Sequence, residues 1–116
     1  MLKESLKITY ENEIAFLGFE GEITFENSNQ LKEEAKKYLS KNEETEHLIF
    51  DLSRVSYVDS SGVGVIFSLF KYMRLKDGSL AIVNPNEKIN RVFEVTKMTD
   101  IIPVYETTEE ALNELK

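Results

Sequence analysis

Two short, uninterrupted apolar runs constrain the fold of this chain more than any other feature of its sequence. The runs are HLIFDL and LAIV. Continuous apolar runs of this kind are typical of strands that are covered on both faces of a sheet. Because helical patterns lie between and around them, the runs predict a layered α/β structure.

The segment between the two runs predicts the longest helix of the chain. This helix follows the Ser-Ser-Gly of YVDSSGVGVIF and continues to about Lys76, where KDG predicts its end. Gly78 suits the left-handed residue that often follows a helix, and basic residues precede it.

The N-terminal part of the chain predicts a hairpin followed by a surface helix. LKITY and IAFLGFEG are separated by the polar ENE, which indicates two antiparallel strands. From Ser28 to Leu39, apolar or small residues recur at helical spacing between Lys and Glu, so one apolar stripe should face a sheet.

The C-terminal part predicts two helices and a short edge strand. NPNEKINRVFEV has Ile89, Val92 and Phe93 on one face, and IIPVY contains a proline that suits an edge. Thr107 and Glu110 have the spacing of a capping box. We therefore expect a single α/β domain over residues 1–116, with a mixed four- to five-stranded sheet and helices mainly on one face.

The composition disfavours several classes of partner. The 14 basic and 21 acidic residues give a formal charge of -7, which repels phosphate backbones and anionic lipid. We therefore expect neither nucleic acid nor a membrane as partner. The absence of cysteine removes disulfides, thiolate zinc sites and thiol catalysis. Without a signal peptide or an apolar stretch of bilayer length, a cytoplasmic location is expected.

The polar segment YVDSSGVGVIF does not match the common nucleotide or hydrolase motifs. Gly62 and Gly64 form G-x-G, but Phe67 stands where the dinucleotide fingerprint needs a third glycine. The chain has no G-x-x-x-x-G-K-[ST]. Val58 or Asp59 occupies the place of the first glycine of the hydrolase motif G-x-S-x-G.

A catalytic role for Ser60 or Asp51 lacks the accompanying groups that such a role needs. The only imidazole, His47, begins the strand that leads toward Ser60, and several strand residues separate the two by roughly 10–20 Å. An aspartyl phosphoacceptor at Asp51 would need an acidic cluster for Mg²⁺, which KITY does not supply. We therefore expect a protein that is not an enzyme and that requires no metal or bound cofactor.

The remaining explanation of this polar segment is that one of its serines is the substrate of another enzyme. Ser60 or Ser61 should cap or begin the long helix, where the positive end of the helix dipole favours an added phosphate. Gly62 and Gly64 each cost about 1 kcal/mol inside a helix relative to alanine, and a missing side chain allows close approach of another group. A helix cap with close strand packing is the alternative explanation of the same residues.

The long helix is apolar on more than one side. Val63, Ile66, Phe67, Phe70 and Met73 form a stripe for the core. A second stripe, Val65, Leu69 and Tyr72, predicts a docking face, because a helix on one side of a small sheet is rarely buried all round.

These residues resemble the anti-sigma factor antagonists of the STAS domain family. LIFDLSRVSYVDSSGVGVIFSLFK is similar to the family's strand ending in D-L-S, followed by D-S-S-G-L-G and a helix. GFEGEIT resembles the family's strand ending in G-E-L-D, and RVFEVTKMTDIIPVYETTEEAL its closing segment. The likeness extends over almost the whole chain.

The resemblance implies a phosphorylation switch. In the family, the serine directly after the Asp is phosphorylated by an anti-sigma factor that is also a serine protein kinase, and a serine phosphatase removes the phosphate. By position the phosphoacceptor is Ser60. The unmodified form binds the kinase and frees a sigma factor. The implied partner-binding residues are Thr24, Asp59, Ser60, Ser61, Gly62, Val63, Gly64, Val65, Leu69 and Tyr72.

Two positions depart from the family pattern. Thr24 replaces the Asp of G-E-L-D, and Lys97 replaces a glycine that follows Thr. Lys97 predicts a strained helix end or one that closes differently. Thr24 favours an alternative function, a STAS binding or scaffold module of a signalling or transport complex that does not act on a sigma factor.

Overall fold

The computed structural model describes residues 6–115 of the chain. Over this range strands and helices alternate after an opening hairpin, as the sequence predicts. The elements are β1 Leu6–Glu11, β2 Ile14–Phe19, β3 Gly21–Ile23, α1 Ser28–Ser40, β4 His47–Asp51, β5 Val55–Val58, α2 Ser60–Leu75, β6 Ser79–Val83, α3 Glu87–Val95, a 3-10 turn Met98–Asp100, β7 Val104–Tyr105 and α4 Thr108–Glu114.

Five of the strands form one mixed sheet in the order β1-β2-β4-β6-β7. The β1–β2 pair is antiparallel, and the other neighbouring pairs are parallel. The predicted hairpin is confirmed, and Asn12 adopts a left-handed φ of 58° in its turn. The two-residue strand β7 lies at an edge and Pro103 immediately precedes it, as predicted.

The two faces of the sheet are covered unequally. The larger core lies under α1, α2 and α3, and includes Leu17, Leu48, Phe50 and Ile82 from the strands. On the opposite face, α4 packs Ala111 against Ile49, Ala81 and Val83. The predicted mixed sheet with helices mainly on one face is therefore confirmed.

A small two-stranded parallel sheet, β3–β5, was not predicted from the sequence. Ile23 pairs with Val58, and the register shifts between Gly21 and Glu22. Strand β5 has only four residues, and its two middle residues are exposed, so its pattern resembles a loop. This sheet matters for function because β5 leads directly into α2.

The end of α2 differs from the prediction at one residue. Asp77, with a φ of 61°, takes the left-handed conformation expected at Gly78. Gly78 is required for space instead, because a Cβ there would lie 2.6 Å from the carbonyl oxygen of Glu46.

The predicted C-terminal helices are confirmed in detail. In α3, Ile89 and Phe93 are buried and Val92 packs beside them. The capping box of α4 is complete, because Thr107 and Glu110 each accept a hydrogen bond from the other's backbone N–H. Between residues 6 and 115, no helix is both long and apolar enough to cross a bilayer.

Candidate functional site at the start of helix α2

Asp59 positions the start of α2. Its backbone is extended, and its Oδ1 accepts a hydrogen bond of 3.0 Å from the backbone N–H of Gly62. Its own N–H donates to the carbonyl oxygen of Ile23 at 3.2 Å, which ties the junction to β3. Asp59 is therefore the N-cap of a helix whose first turn is fixed against the small sheet.

The second oxygen of the same carboxylate holds the loop between β3 and α1. The backbone N–H of Phe25 donates to Asp59 Oδ2 at 3.1 Å. Thr24 lies between Ile23 and Phe25, both of which bond to Asp59, so the structure brings Thr24 beside the α2 N-terminus. Within the loop, Thr24 N–H donates to Asn27 Oδ1 at 2.9 Å.

Ser60 and Ser61 differ in exposure. Ser60 is the first residue of α2 and is exposed, whereas Ser61 is half-buried. The first four N–H groups of a helix have no partner within the helix, and the helix dipole makes this end positive. A phosphate on Ser60 would lie at this positive end and beside the carboxylate of Asp59.

The two glycines of the segment serve different purposes. A Cβ on Gly62 would lie 2.5 Å from Val58 Cγ1 and 2.7 Å from the carbonyl oxygen of Ile23. Gly62 therefore permits close packing of α2 on the small sheet, so the close-packing explanation applies to it. A Cβ on Gly64 would meet no atom within 4 Å, and Gly64 is exposed. Only Gly64 leaves room for an approaching partner.

The predicted docking stripe on α2 is wrong at two of its three residues. Val65 is 4% exposed and Leu69 is 0% exposed, and both belong to the core cluster that includes Leu31 and Leu39 of α1. Val63 is also buried. Helix α1 packs against α2 and covers this side, so these three side chains cannot contact a partner in this conformation.

Tyr72, the last residue of that stripe, is half-buried between two lysines. The ammonium groups of Lys36 and Lys76 lie 6.0 and 5.5 Å from the centre of its ring. These distances suit cation–π contacts within the chain. Tyr72 therefore packs beside two lysines of the chain and stays partly exposed, unlike Val65 and Leu69.

The residues considered for catalysis have hydrogen-bond partners other than Ser60. His47 begins β4, and its Nδ1 lies 2.7 Å from Ser79 Oγ. Asp51, at the other end of β4, accepts hydrogen bonds from Ser53 N–H and Asn84 Nδ2. Clefts of about 400 Å³ beside His47 and beside Asp51 do not include Ser60. Within residues 6–115, no group of three or more His, Asp or Glu could hold a metal ion.

One residue of this site escaped the sequence analysis. Phe25 is 78% exposed, although its backbone is held by Asp59. The sequence pattern that indicates Phe25 is a phenylalanine in the polar stretch TFENSN. Neither the periodicity of a strand nor that of a helix accounts for an apolar residue at this position.

Comparisons with known proteins agree over nearly the whole chain. Residues 5–111 match the family model described as the STAS domain. The anti-sigma-B factor antagonist of Bacillus subtilis is 34% identical over 99 residues, which cover 85% of this chain and 87% of that protein. The anti-sigma F factor antagonist of Paenibacillus polymyxa is 23% identical over 111 residues, which cover 96% of this chain and 94% of that protein.

Solved structures share the fold. A crystal structure of a Thermotoga maritima protein, provisionally assigned as an anti-sigma factor antagonist, matches with a TM-score of 0.87 and 29% identity, over 94% of this chain and 92% of that one. The anti-sigma factor antagonist SpoIIAA in its unphosphorylated form matches with a TM-score of 0.79 and 20% identity, over 95% of each chain. At that identity, the SpoIIAA match shows the fold alone.

Proposed function

The chain belongs to the STAS domain family, and from this we propose that it is an anti-sigma factor antagonist that phosphorylation of Ser60 switches off. In its unmodified form it binds an anti-sigma factor and so releases a sigma factor. The names of its relatives from Bacillus subtilis and Paenibacillus polymyxa support the antagonist role.

The observation that carries the switch is the setting of Ser60. It is the exposed first residue of α2, so a kinase can reach its hydroxyl. Its neighbour Asp59 caps the helix, and the helix behind it is buried through residues such as Ile66 and Leu69. A modified Ser60 therefore changes the charge of the surface while the structure beneath it stays in place.

The charge added by phosphorylation is sufficient for a switch. A phosphoserine carries about -1.5 to -2 charges at neutral pH. On Ser60 this charge joins the carboxylate of Asp59, which holds the β3–α1 loop, and that of the exposed Glu26 within this loop. Like charges or an unpaired buried charge at an interface cost several kcal/mol, and about 2.7 kcal/mol is already a hundredfold in affinity.

The partners follow from this role. The anti-sigma factor would also be the serine protein kinase, which needs ATP and Mg²⁺ of its own. A serine phosphatase acting on phospho-Ser60 would restore binding. The partner-binding surface would consist of Thr24, Asp59, Ser60, Ser61 and Gly64.

The direct test is phosphorylation in vitro. The chain would be incubated with ATP, Mg²⁺ and the histidine-kinase-like serine kinase of its own genome, and the modified residue would be mapped by mass spectrometry. We expect one phosphate on Ser60, none on Ser60→Ala and normal modification of Ser61→Ala. Phosphate on Ser61 in the unaltered chain would contradict the assignment, and so would a chain that neither binds nor accepts phosphate.

The alternative, a STAS module of a signalling or transport complex, is favoured by Thr24. This residue stands where the family's switch proteins usually have Asp. The same fold also matches part of a murine anion transporter, Slc26a9, with a TM-score of 0.78 and 16% identity, over 90% of this chain and 18% of that one. Transporter genes beside this gene would favour the alternative, whereas an adjacent serine kinase gene would favour the switch.

A further inference from the structure

Phe25 is an exposed aromatic side chain on an ordered loop. Its side chain is 78% exposed. The loop around it is held by hydrogen bonds: Thr24 N–H donates to Asn27 Oδ1, Asn27 Nδ2 donates to the carbonyl oxygen of Glu22, and Ser28 N–H donates to that of Thr24. The exposure of the ring is therefore a property of a defined turn.

Phe25 is connected to the proposed switch by a single carboxylate. Asp59 Oδ2 accepts the hydrogen bond from Phe25 N–H at 3.1 Å, while Oδ1 of the same group caps α2 at Gly62. Ser60 is the next residue. The backbone of Phe25 therefore lies beside the start of α2, and a phosphate on Ser60 would add charge close to the loop that carries the exposed ring.

Three acidic residues lie close to Phe25 in the sequence or are bonded to its backbone. Glu22, near the end of β3, and Glu26, the next residue of the loop, are both exposed, and the carboxylate of Asp59 accepts a hydrogen bond from the Phe25 backbone. An apolar ring within an acidic border fits an apolar pocket whose rim carries lysine or arginine. Aromatic side chains inserted in such pockets commonly contribute a large share of the affinity of a protein interface.

We propose that Phe25 is the apolar anchor by which this chain docks onto its anti-sigma factor, in an apolar pocket of that protein rimmed by basic residues. The proposal rests on the antagonist function and names a contact residue for it. Asp59 acts as a positioning residue, because its carboxylate holds the backbone from which the ring projects.

Replacing the ring tests the anchor directly. Calorimetric titration of the anti-sigma factor from the same genome should show that Phe25→Ala raises Kd about thirtyfold and Phe25→Leu raises it less. The matched control is Val95→Ala on α3, because Val95 is 76% exposed and lies outside the site. This control should stay within about twofold of the unaltered chain.

Two further measurements separate the contact made by the ring from changes in the order of the loop and from the charge around it. Hydrogen exchange of the Phe25 amide should be unchanged in Phe25→Ala and faster in Asp59→Asn, because only the latter alters the carboxylate that holds the loop. Glu26→Lys should slow association several-fold at low salt and less at high salt, as a basic rim requires.

The outcomes distinguish the anchor from the function on which it rests. If Phe25→Ala binds as tightly as the unaltered chain, the anchor is wrong and the antagonist function stands. Association that is indifferent to Glu26→Lys overturns the basic rim. An unaltered chain that does not bind the anti-sigma factor at all overturns both the function and the anchor.

Discussion

At the level of single residues, the carboxylate of Asp59 joins parts of the chain that are 34 residues apart. One oxygen caps α2 at Gly62, and the other holds the backbone of Phe25. Because both oxygens are used inside the chain, Asp59 is a structural residue as well as a neighbour of the proposed phosphoacceptor. Its negative charge also means that any acidic group added at Ser60 meets an existing one.

A charge at Ser60 should weaken partner binding without harm to the fold. Ser60→Asp is expected to raise the Kd for the anti-sigma factor at least about tenfold, because it adds a like charge beside Asp59. The fold should be as stable or slightly more stable, since an acidic first residue favours the helix dipole. Asn113→Asp, an exposed position on α4, is the control for charge alone. Equal Kd values for Ser60→Asp and the unaltered chain would contradict the prediction.

The two glycines of α2 should respond oppositely to alanine. Gly62→Ala places a Cβ against Val58 and the backbone of Ile23, so we expect a loss of about 2 kcal/mol in the free energy of unfolding. In Gly64→Ala the added Cβ meets no atom within 4 Å. This variant should therefore have a free energy of unfolding that is higher by at most about 1 kcal/mol, because alanine favours the helix. Urea denaturation measures both. A stable Gly62→Ala would show that α2 can move away from the small sheet.

At the level of the elements, the end of α3 is closed by a residue that is not suited to its backbone. Lys97 has a φ of 63° and a ψ of 20°, the left-handed conformation in which glycine is favoured. The side-chain hydroxyl of Thr96 donates to the carbonyl oxygen of Val92 at 2.8 Å and helps to end the helix. The departure from the family pattern at position 97 therefore leaves the helix end in place and costs some stability.

Glycine at position 97 should stabilise the protein. Relief of the left-handed strain is worth about 1–2 kcal/mol, and the greater freedom of glycine in the unfolded chain offsets about 0.4–1 kcal/mol. We therefore expect Lys97→Gly to add about 0.5 kcal/mol to the free energy of unfolding. The control is Arg91→Gly, at an exposed position in the middle of α3, which should lower the free energy of unfolding by about 1 kcal/mol. A loss of stability in Lys97→Gly would mean that its side chain makes a compensating contact.

The edge strand β1 is tied to α1 through Tyr10. Its hydroxyl donates to the carbonyl oxygen of Tyr38 at 2.7 Å. Partial burial raises the pKa of Tyr10 above its ordinary value of 10.0, and the neighbouring Tyr38 and Tyr72 raise it further. The folded state therefore holds the phenolic proton more tightly than the unfolded state does.

This raised pKa predicts a loss of stability in alkali. The contribution of Tyr10 to the free energy of unfolding should be fully present below its ordinary pKa of 10.0. It should be lost as the pH rises through the higher pKa of the folded state. Tyr10→Phe should lower the free energy of unfolding by about 0.5–1.5 kcal/mol at neutral pH. Above about pH 10, the free energy of unfolding of this variant should fall less steeply with pH than that of the unaltered chain. Urea midpoints measured across this pH range test both slopes. Parallel slopes for the two chains would contradict the assignment.

At the level of the whole molecule, the proposed switch needs no change of fold. Helix α2 is held by Ile66, Leu69 and Met73, each 0% exposed, and moving them would expose apolar surface. A phosphate at the exposed start of the helix therefore acts on the surface and not on the core. The described part of the chain has a radius of gyration of 12.9 Å. We expect the same value for the unmodified chain and for the chain phosphorylated on Ser60.

Phosphorylation should leave a local signature in solution. With phosphoserine installed at position 60, amide chemical-shift changes should be confined to the β3–α1 loop, β5 and the first turn of α2. Amides of α4, on the other side of the sheet, should not shift. The unmodified chain at the same pH and ionic strength is the control. Shifts that spread to α4 or a larger radius of gyration would show that phosphorylation acts through the fold.

Local patterns allowed most of the fold to be predicted. The apolar runs of β4 and β6 indicated buried strands, and Thr107 with Glu110 indicated the start of α4. The prediction that Ser60 or Ser61 begins the long helix is confirmed, whereas the role of Ser60 as phosphoacceptor is a proposal based on the family motif. The small strand β5 escaped prediction because its pairing with β3 depends on residues more than 30 positions away, which periodicity does not report.

The sequence by itself determined the order of the helices and of the strands of the five-stranded sheet, because periodicity and capping act over a few residues. The tertiary structure decided which surfaces remain free. Helix α1 lies along α2 and covers Val65 and Leu69, β3 requires the glycine at position 62, and Asp59 holds Phe25 at the surface. Each of these depends on contacts between distant segments, and such contacts exist only once the chain has packed.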